Sequence, residues 1–282
     1  MRIIQQSYFV FSGLQKEFLF FANFTPYYVE KFSHRIYPPV RFPARHFGPV
    51  TLIHGDAMDV LAALPCRADL LVTDPPYKLT SGGRSGGSMG GVFAPENYDN
   101  SGDLMRSVPW RQMAPAIFGA LRGDCDAYVM GNDKNIFDAK EAFCASGFKL
   151  HNLLVWDKIT PTRNRWYMKE LEFTLYLWKG RARTINSPGS KQRQAIARPK
   201  ERFHNTQKPV ALFETYIRNS SQPEDIVLDP FAGSAASLVA AMRSGRRAIG
   251  VEIEQRWFDA ACLRLAREWE RIREGQASPD HA

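Results

Sequence analysis

Two short apolar runs are each cut off by a turn that cannot extend the strand, and these breaks constrain the fold more than any other feature. The first is Leu70-Leu71-Val72-Thr73, followed by Asp74-Pro75-Pro76-Tyr77. Consecutive prolines fix φ near −65° and remove two N–H donors, so the strand stops and the Pro75 carbonyl is left to accept from elsewhere. Asp74 adds a carboxylate that accepts hydrogen bonds, and Tyr77 a ring that stacks on flat heterocycles. The second is Ile226-Val227-Leu228, followed by Asp229-Pro230-Phe231-Ala232-Gly233-Ser234-Ala235-Ala236. It reads as a small-residue turn running into a helix start, where backbone N–H groups favour an anion or a nucleotide-like ligand. Asp-Pro-Pro alone is also an ordinary strand-ending turn; the second signature gives it weight.

Around these turns the pattern alternates. Strands are expected to start at Thr51, Leu70, Ala127, Leu153, Glu172, Ile226 and Arg247, with helices over 57–64, 109–121, 135–146, 210–220 and 257–271. Alternation of this kind gives an α/β fold, whose ligand sites lie at the carboxyl ends of the strands. Asp74, Asp229 and Glu252, the last after Gly250-Val251, all fall at such ends. Asp56 ends the Thr51 strand and would stand beside Asp74 if those strands were neighbours; a helix N-cap is its other reading.

At 282 residues with 44% hydrophobic residues, the chain buries one α/β core plus an insertion. Its net charge of +8 is concentrated: Lys158 to Arg202 hold twelve Lys and Arg against three Glu. Such a segment suits a polyanion, the bland alternative being a solvated basic loop. Cys66, Cys125, Cys144 and Cys262 are dispersed, without disulfide or zinc spacing, which fits a reducing cytosol. No apolar run reaches the ~20 residues of a membrane span, and the polar-interrupted N-terminus does not read as a secretory signal. Residues 1–48 carry nine Phe without a clear period, and a cover packed on the core is their expected role. Residues 80–91 are glycine-rich, as in a passive linker or a lid beside a site. They lack the Gly-Lys-Ser/Thr ending of a phosphate loop, so nucleotide hydrolysis is unsupported.

With Asp74-Pro75-Pro76-Tyr77 preceding the Phe231-Ala232-Gly233 turn, the chain resembles the permuted, β-class DNA adenine-N6 methyltransferases that use S-adenosylmethionine (AdoMet). The resemblance implies a Rossmann-like, seven-stranded, mostly parallel sheet with helices on both faces, plus an inserted DNA-recognition segment. It divides the chain into an N-terminal extension (1–48), a catalytic and AdoMet-binding domain (49–156 and 206–273), a basic target-recognition segment (157–205) and a disordered tail (274–282). Asp74, Pro75, Pro76 and Tyr77 would handle the base. Asp56, Thr206, Lys208, Asp229, Phe231, Ala232, Gly233, Ser234, Ala235 and Glu252 would hold AdoMet, with Glu252 on the ribose. Arg163, Arg165, Lys169, Arg181, Arg183 and Arg193 would meet double-stranded DNA. Neither a metal nor a membrane is implied, the setting is cytoplasmic, and a cognate restriction endonuclease and a homodimer remain open. The family turn usually has a second glycine where this chain has Ala235, so weaker cofactor binding is expected. Cytosine-N4 methylation is the nearest alternative, although enzymes of that kind usually carry Ser at the position of Asp74. A non-catalytic DNA-binding partner on the same scaffold is the other.

Overall fold

The computed structural model describes residues 42–64, 67–76, 107–162, 167–199 and 207–275, all within the compact unit that begins at Pro39. The strands are β1 (Ala44–Phe47), β2 (Val50–His54), β3 (Ala68–Thr73), β4 (Leu121–Gly131), β5 (Lys149–Thr162), β6 (Lys169–Lys179), β7 (Arg193–Ala195), β8 (Ile226–Asp229) and β9 (Arg247–Glu252). The helices are α1 (Ala57–Ala63), α2 (Trp110–Ala120), α3 (Ile136–Ala145), α4 (Val210–Ser220), α5 (Ala236–Arg243) and α6 (Gln255–Arg273). None of these helices is long and apolar enough to cross a membrane.

All nine strands form one sheet in the order β1-β2-β9-β8-β3-β4-β6-β5-β7. The pairs β2–β9, β9–β8, β8–β3, β3–β4 and β5–β7 are parallel, and β1–β2, β4–β6 and β6–β5 antiparallel. The seven strands expected from the sequence form the uninterrupted run from β2 to β5 in this order. Two short strands are added at the edges: β1, inside the segment set aside as an extension, and β7, inside the basic segment. Each is largely exposed, so neither leaves the apolar run that marks a buried strand.

Two further expectations are corrected. The strand ending before Asp56 is not beside the strand ending before Asp74, because β9 and β8 lie between them. The strand expected to start at Leu153 is longer than its apolar run: β5 extends from Lys149 to Thr162, past residue 157.

Successive side chains of each strand point to opposite faces, and each face has its own helices. Leu70 and Val72 of β3 and Tyr128 and Met130 of β4 share a core with residues of α4, α5 and α6. Leu71, Ala127 and Val129 instead pack with α1, α2 and α3. The central strands β3 and β8 are buried along their whole length, as strands covered on both faces must be.

Gly250 sets how closely α5 approaches this sheet. A Cβ there would fall 2.5 Å from Leu238 Cδ1 and 3.1 Å from the Cβ of Ala232, so helix and turn rest directly on the β9 backbone. Gly250→Ala is expected to destabilise the fold by about 1–3 kcal/mol through overpacking. Urea unfolding measures this, and an unchanged midpoint would mean that α5 gives way freely.

Candidate active site

The crevice lies where β3 and β8 run side by side. Their pairing, Leu70 with Val227 and Leu71 with Leu228, sets the end of one signature beside the end of the other. Thr73 Oγ1 donates to Asp229 Oδ1 at 2.7 Å, closing the contact one residue before Asp74. Helices then leave for opposite faces, the arrangement that opens a crevice at the carboxyl ends of a parallel sheet.

Asp74 meets a buried cation. Lys208 comes from the stretch before α4, where Pro209 caps the helix without a side-chain hydrogen bond, and its ammonium donates to Asp74 Oδ2. The side chains of Lys208 and Asp74 are 6% and 18% exposed. Asp74 Oδ1 is buried and has no hydrogen-bond partner among the described residues. Burial pushes the Asp74 carboxyl above the usual range, opposed by Lys208 and reinforced by Glu172. Glu172 Oε2 lies 3.3 Å from the same ammonium, and Glu172 Oε1 lies 2.9 Å from Lys158 Nζ. Burial raises the Glu172 carboxyl, but the two lysines outweigh it and hold the group below its ordinary value. Glu172 and Lys158 were missed in the sequence, hidden among the charges of a segment read as a phosphate binder.

The second turn is built by its own carboxylates. Asp229 accepts from Thr73, from the Phe231 N–H at 3.1 Å and from the Ser237 hydroxyl, tying the strand end to α5. Gly233 and Ala235 both adopt left-handed conformations, at φ 48° and 58°. Ala235 therefore carries a Cβ where glycine is the easy choice, at a cost of roughly 1–2 kcal/mol. Its N–H reaches the Ala232 carbonyl at 2.7 Å, and the Ala232 N–H reaches the Val251 carbonyl at 2.8 Å. Ser234 contributes its carbonyl, which accepts from Arg264 at 2.8 Å.

Glu252 is buried at the end of β9. Its Oε2 accepts from the Gly233 N–H at 2.9 Å and its Oε1 from the Glu254 N–H at 2.8 Å. A carboxylate offers about four lone-pair sites, so Glu252 braces the turn and keeps acceptor capacity toward the crevice. Burial raises its carboxyl. Asp56 lies alongside, since the Gly55 N–H donates to the Glu252 carbonyl at 3.0 Å; its carboxylate caps α1 through the Met58 N–H at 2.8 Å.

The basic residues divide between the two ends of the sheet. Lys169 lies at the carboxyl end of the parallel strands, its ammonium 4.0 Å from Asp133. Arg193 is at the β7 edge, its guanidinium bound to Asp157 through Nε at 2.8 Å. Arg181 and Arg183 follow β6 past its pairing with Cys125, at the start of β4, and so lie at the opposite end from Asp74. Arg181 is paired with Asp124 at 2.9 Å. Tyr77, Arg163, Arg165, Thr206 and the glycine-rich stretch 80–91 lie outside the described residues.

The sequence profile of the N6 and N4 methyltransferases, described as DNA methylase, matches residues 68–262. The chain belongs to this family. This DNA methylase is 28% identical to the type II methyltransferase M2.DpnII of Streptococcus pneumoniae over 245 residues, 77% of this chain and 90% of that protein. It is also 28% identical to the type II methyltransferase M2.LlaDCHI of Lactococcus lactis subsp. cremoris over 242 residues, 76% and 88% of the two chains. In fold it is similar to the crystal structure of the M1.HpyAVI–SAM complex, with a TM-score of 0.58, 24% identity and coverage of 76% of this chain and 99% of that one. The methylase depends on AdoMet. The left-handed turn on α5, with the buried carboxylate of Glu252 against it, fits that cofactor: backbone donors and a hydroxyl acceptor meet at adjacent strand ends.

Burial lifts the Asp229 carboxyl from an ordinary value near 3.8 to about 6, against the pull of hydrogen bonds from Ser237, Thr73 and Phe231. A pKa raised on folding stabilises the fold where the group is protonated. That contribution is complete below the unfolded value and is lost as the pH rises through the folded one. Asp229→Asn removes the titration. Between about pH 4 and pH 6 the wild type is expected to lose stability relative to this variant by about 1.4 kcal/mol per unit at most. Urea unfolding across that window measures it, and a pH-independent difference would contradict it.

Proposed function

We propose that this methylase transfers a methyl group to the exocyclic N6 amine of an adenine flipped out of duplex DNA, with Asp74 and the Pro75 carbonyl accepting the amine's two hydrogens. The observation that carries the reading is the state of Asp74: one oxygen is tied to Lys208, and the other is buried with no partner among the described residues. An unsatisfied buried acceptor costs about 1–3 kcal/mol, and an amine N–H arriving at that oxygen removes the cost.

Adenine N6 is a poor nucleophile because its lone pair is delocalised into the ring. Acceptors on both hydrogens draw the nitrogen toward tetrahedral geometry and localise the pair. As the nitrogen gains its methyl it becomes positive, and the Asp74 carboxylate stabilises that charge where it grows. The nitrogen then loses one hydrogen as a proton, and burial makes Asp74 a better acceptor for it than an exposed aspartate. AdoMet supplies the electrophilic methyl on a sulfonium and leaves as a neutral thioether. Phe231 to Ala235, braced by Asp229 and Glu252, would hold it, with Asp56 and Thr206 beside them. Lys208, grouped with the cofactor residues in the sequence, is better read as the cation that orients Asp74. Tyr77 would stack on the flipped base, offsetting part of the few kcal/mol that flipping costs.

Aspartate rather than serine at position 74 favours adenine over cytosine, whose N4 amine suits the same acceptors. Similarity to type II methyltransferases supports work beside a restriction endonuclease.

Digestion of methylated duplex DNA to nucleosides, followed by mass spectrometry, is expected to give N6-methyladenine; N4-methylcytosine would replace this reading with its alternative. Asp74→Asn is expected to slow transfer about 10²–10³-fold with AdoMet affinity nearly unchanged in a calorimetric titration. A variant with wild-type turnover would remove Asp74 from the chemistry.

The placement of the basic residues yields a second expectation. Lys169→Ala should weaken duplex binding and reduce the salt dependence, log K against log salt, by about 0.9 for a lost phosphate contact. Arg181→Ala with Arg183→Ala should change neither, and equal losses from both ends of the sheet would reverse the assignment.

A further inference from the structure

Four charged side chains from four separate stretches of the chain form a row of alternating sign. Lys158 of β5 meets Glu172 of β6 at 2.9 Å, Glu172 meets Lys208 at 3.3 Å, and Lys208 donates to Asp74. All four are largely buried, with side chains 10%, 20%, 6% and 18% exposed in that order. Two carboxylates and two ammoniums cancel, so the row as a whole is neutral.

Its outer end is held by a distorted backbone. Pairing of β5 with β6 is regular from Asn152 opposite Tyr176 to Asp157 opposite Leu171, then resumes only at Thr162 opposite Lys169. Ile159, within the irregular stretch, has φ 66°, a left-handed conformation that costs a β-branched residue roughly 1–2 kcal/mol. Asp157 fixes the bend by accepting from the Ile159 N–H at 2.8 Å. Lys158 keeps to the face of Trp156, its ammonium 5.7 Å from that ring, which is the face covered by α4. Glu172, opposite Trp156 in the register, shares that face and so reaches Lys208.

Stability alone does not account for such a row, since well-packed apolar residues often replace buried ion pairs without loss. We propose that Glu172 is a positioning residue for methyl transfer: it holds Lys208 between two carboxylates, so that Lys208 ties one oxygen of Asp74 and leaves the other for the base amine. Lys158 cancels the charge that Glu172 brings. The inference rests on the reading of Asp74 as the amine acceptor. Without Glu172, Lys208 is free to close on both oxygens of Asp74, and the Lys158 charge is left uncancelled in a site where a nitrogen must become positive.

Asp74 is faced by Lys208, by Glu172 and, from β8, by Asp229; Glu172 is faced by Lys208 and Lys158. Removing the Glu172 charge leaves Asp74 easier to ionise, and removing the Lys158 charge leaves it harder. The experiment compares Glu172→Gln, Lys158→Met and the double variant in the full chain, following kcat against pH on one duplex, AdoMet affinity by calorimetry and thermal unfolding. Glu172→Gln is expected to lower kcat by about 10–100-fold with AdoMet affinity held within about threefold, and to move the acid limb of the profile to lower pH. Lys158→Met should move that limb to higher pH. The double variant should recover stability, but rate only in part, relative to Glu172→Gln, because the uncancelled ammonium is gone while Lys208 still lacks its second carboxylate. Glu172→Asp, which keeps the charge, should keep the pH profile and supplies the readout should Glu172→Gln not fold. A wild-type kcat for Glu172→Gln, a double variant slower than it, or AdoMet affinity falling in step with kcat overturns the proposal. Asp74→Asn in the same assay separates the two levels. If that variant is fully active the acceptor reading fails, and if it is inactive while Glu172→Gln is unaffected only the role of Glu172 fails.

Discussion

The parallel pairing of β3 with β8 is the contact on which the site depends. It joins residues 156 positions apart in the chain through the Thr73–Asp229 hydrogen bond, and because the strands are parallel their carboxyl ends meet. Asp74 and the turn that opens α5 therefore become neighbours without any loop spanning them. Helices on opposite faces make this stable: Leu70 and Val72 of β3 pack toward α4 to α6, and Leu71 toward α1 to α3. Burial on both faces also sets the electrostatics. Asp74 and Asp229 sit largely buried at the ends of strands, and both carboxyls are raised chiefly by that desolvation.

What could be read in the sequence was local, and what could not was the meeting of distant elements. Double proline after an apolar run stops a strand wherever it occurs, so the position of Asp74 at a strand end was legible. The resemblance, whose turn usually has glycine where this chain has Ala235, pointed to strain there, and the φ of 58° agrees with it. Sheet order was less accessible. Asp56 looked adjacent to Asp74 because β2 and β3 follow one another in sequence, yet β9 and β8, formed by residues near the far end of the chain, intervene. The charge row was invisible for the same reason. Lys158, Glu172, Lys208 and Asp74 share no spacing, and only the folded sheet, with the stretch before α4 laid against it, brings them together. Lys208 was grouped with the cofactor residues by resemblance, while the geometry ties it to Asp74.

A count of charges also differs from the charge a surface presents. The segment from Lys158 to Arg202 holds the basic excess of the whole chain, which in sequence reads as a phosphate-binding surface. In the fold, Lys158 is committed to Glu172. Lys179 is buried, donating to the carbonyls of Phe118 and Leu121 at 2.6 and 2.8 Å. Arg193 is held on Asp157 and Arg181 on Asp124. A cation locked into an internal pair releases no counterions when a phosphate arrives, so it adds little to polyanion affinity or to its salt dependence. Exposed pairs differ, because a surface ion pair is worth about 0–1 kcal/mol and a phosphate can compete for its cation. Arg193, 71% exposed while Asp157 is only 8% exposed, can meet an anion with its outer face while staying on Asp157, whereas Lys158 and Lys179 cannot. The segment serves two ends at once: its buried lysines tie strands together and, through Glu172 and Lys208, reach the Asp74 carboxylate, while its exposed cations at the carboxyl end stay within reach of an external anion.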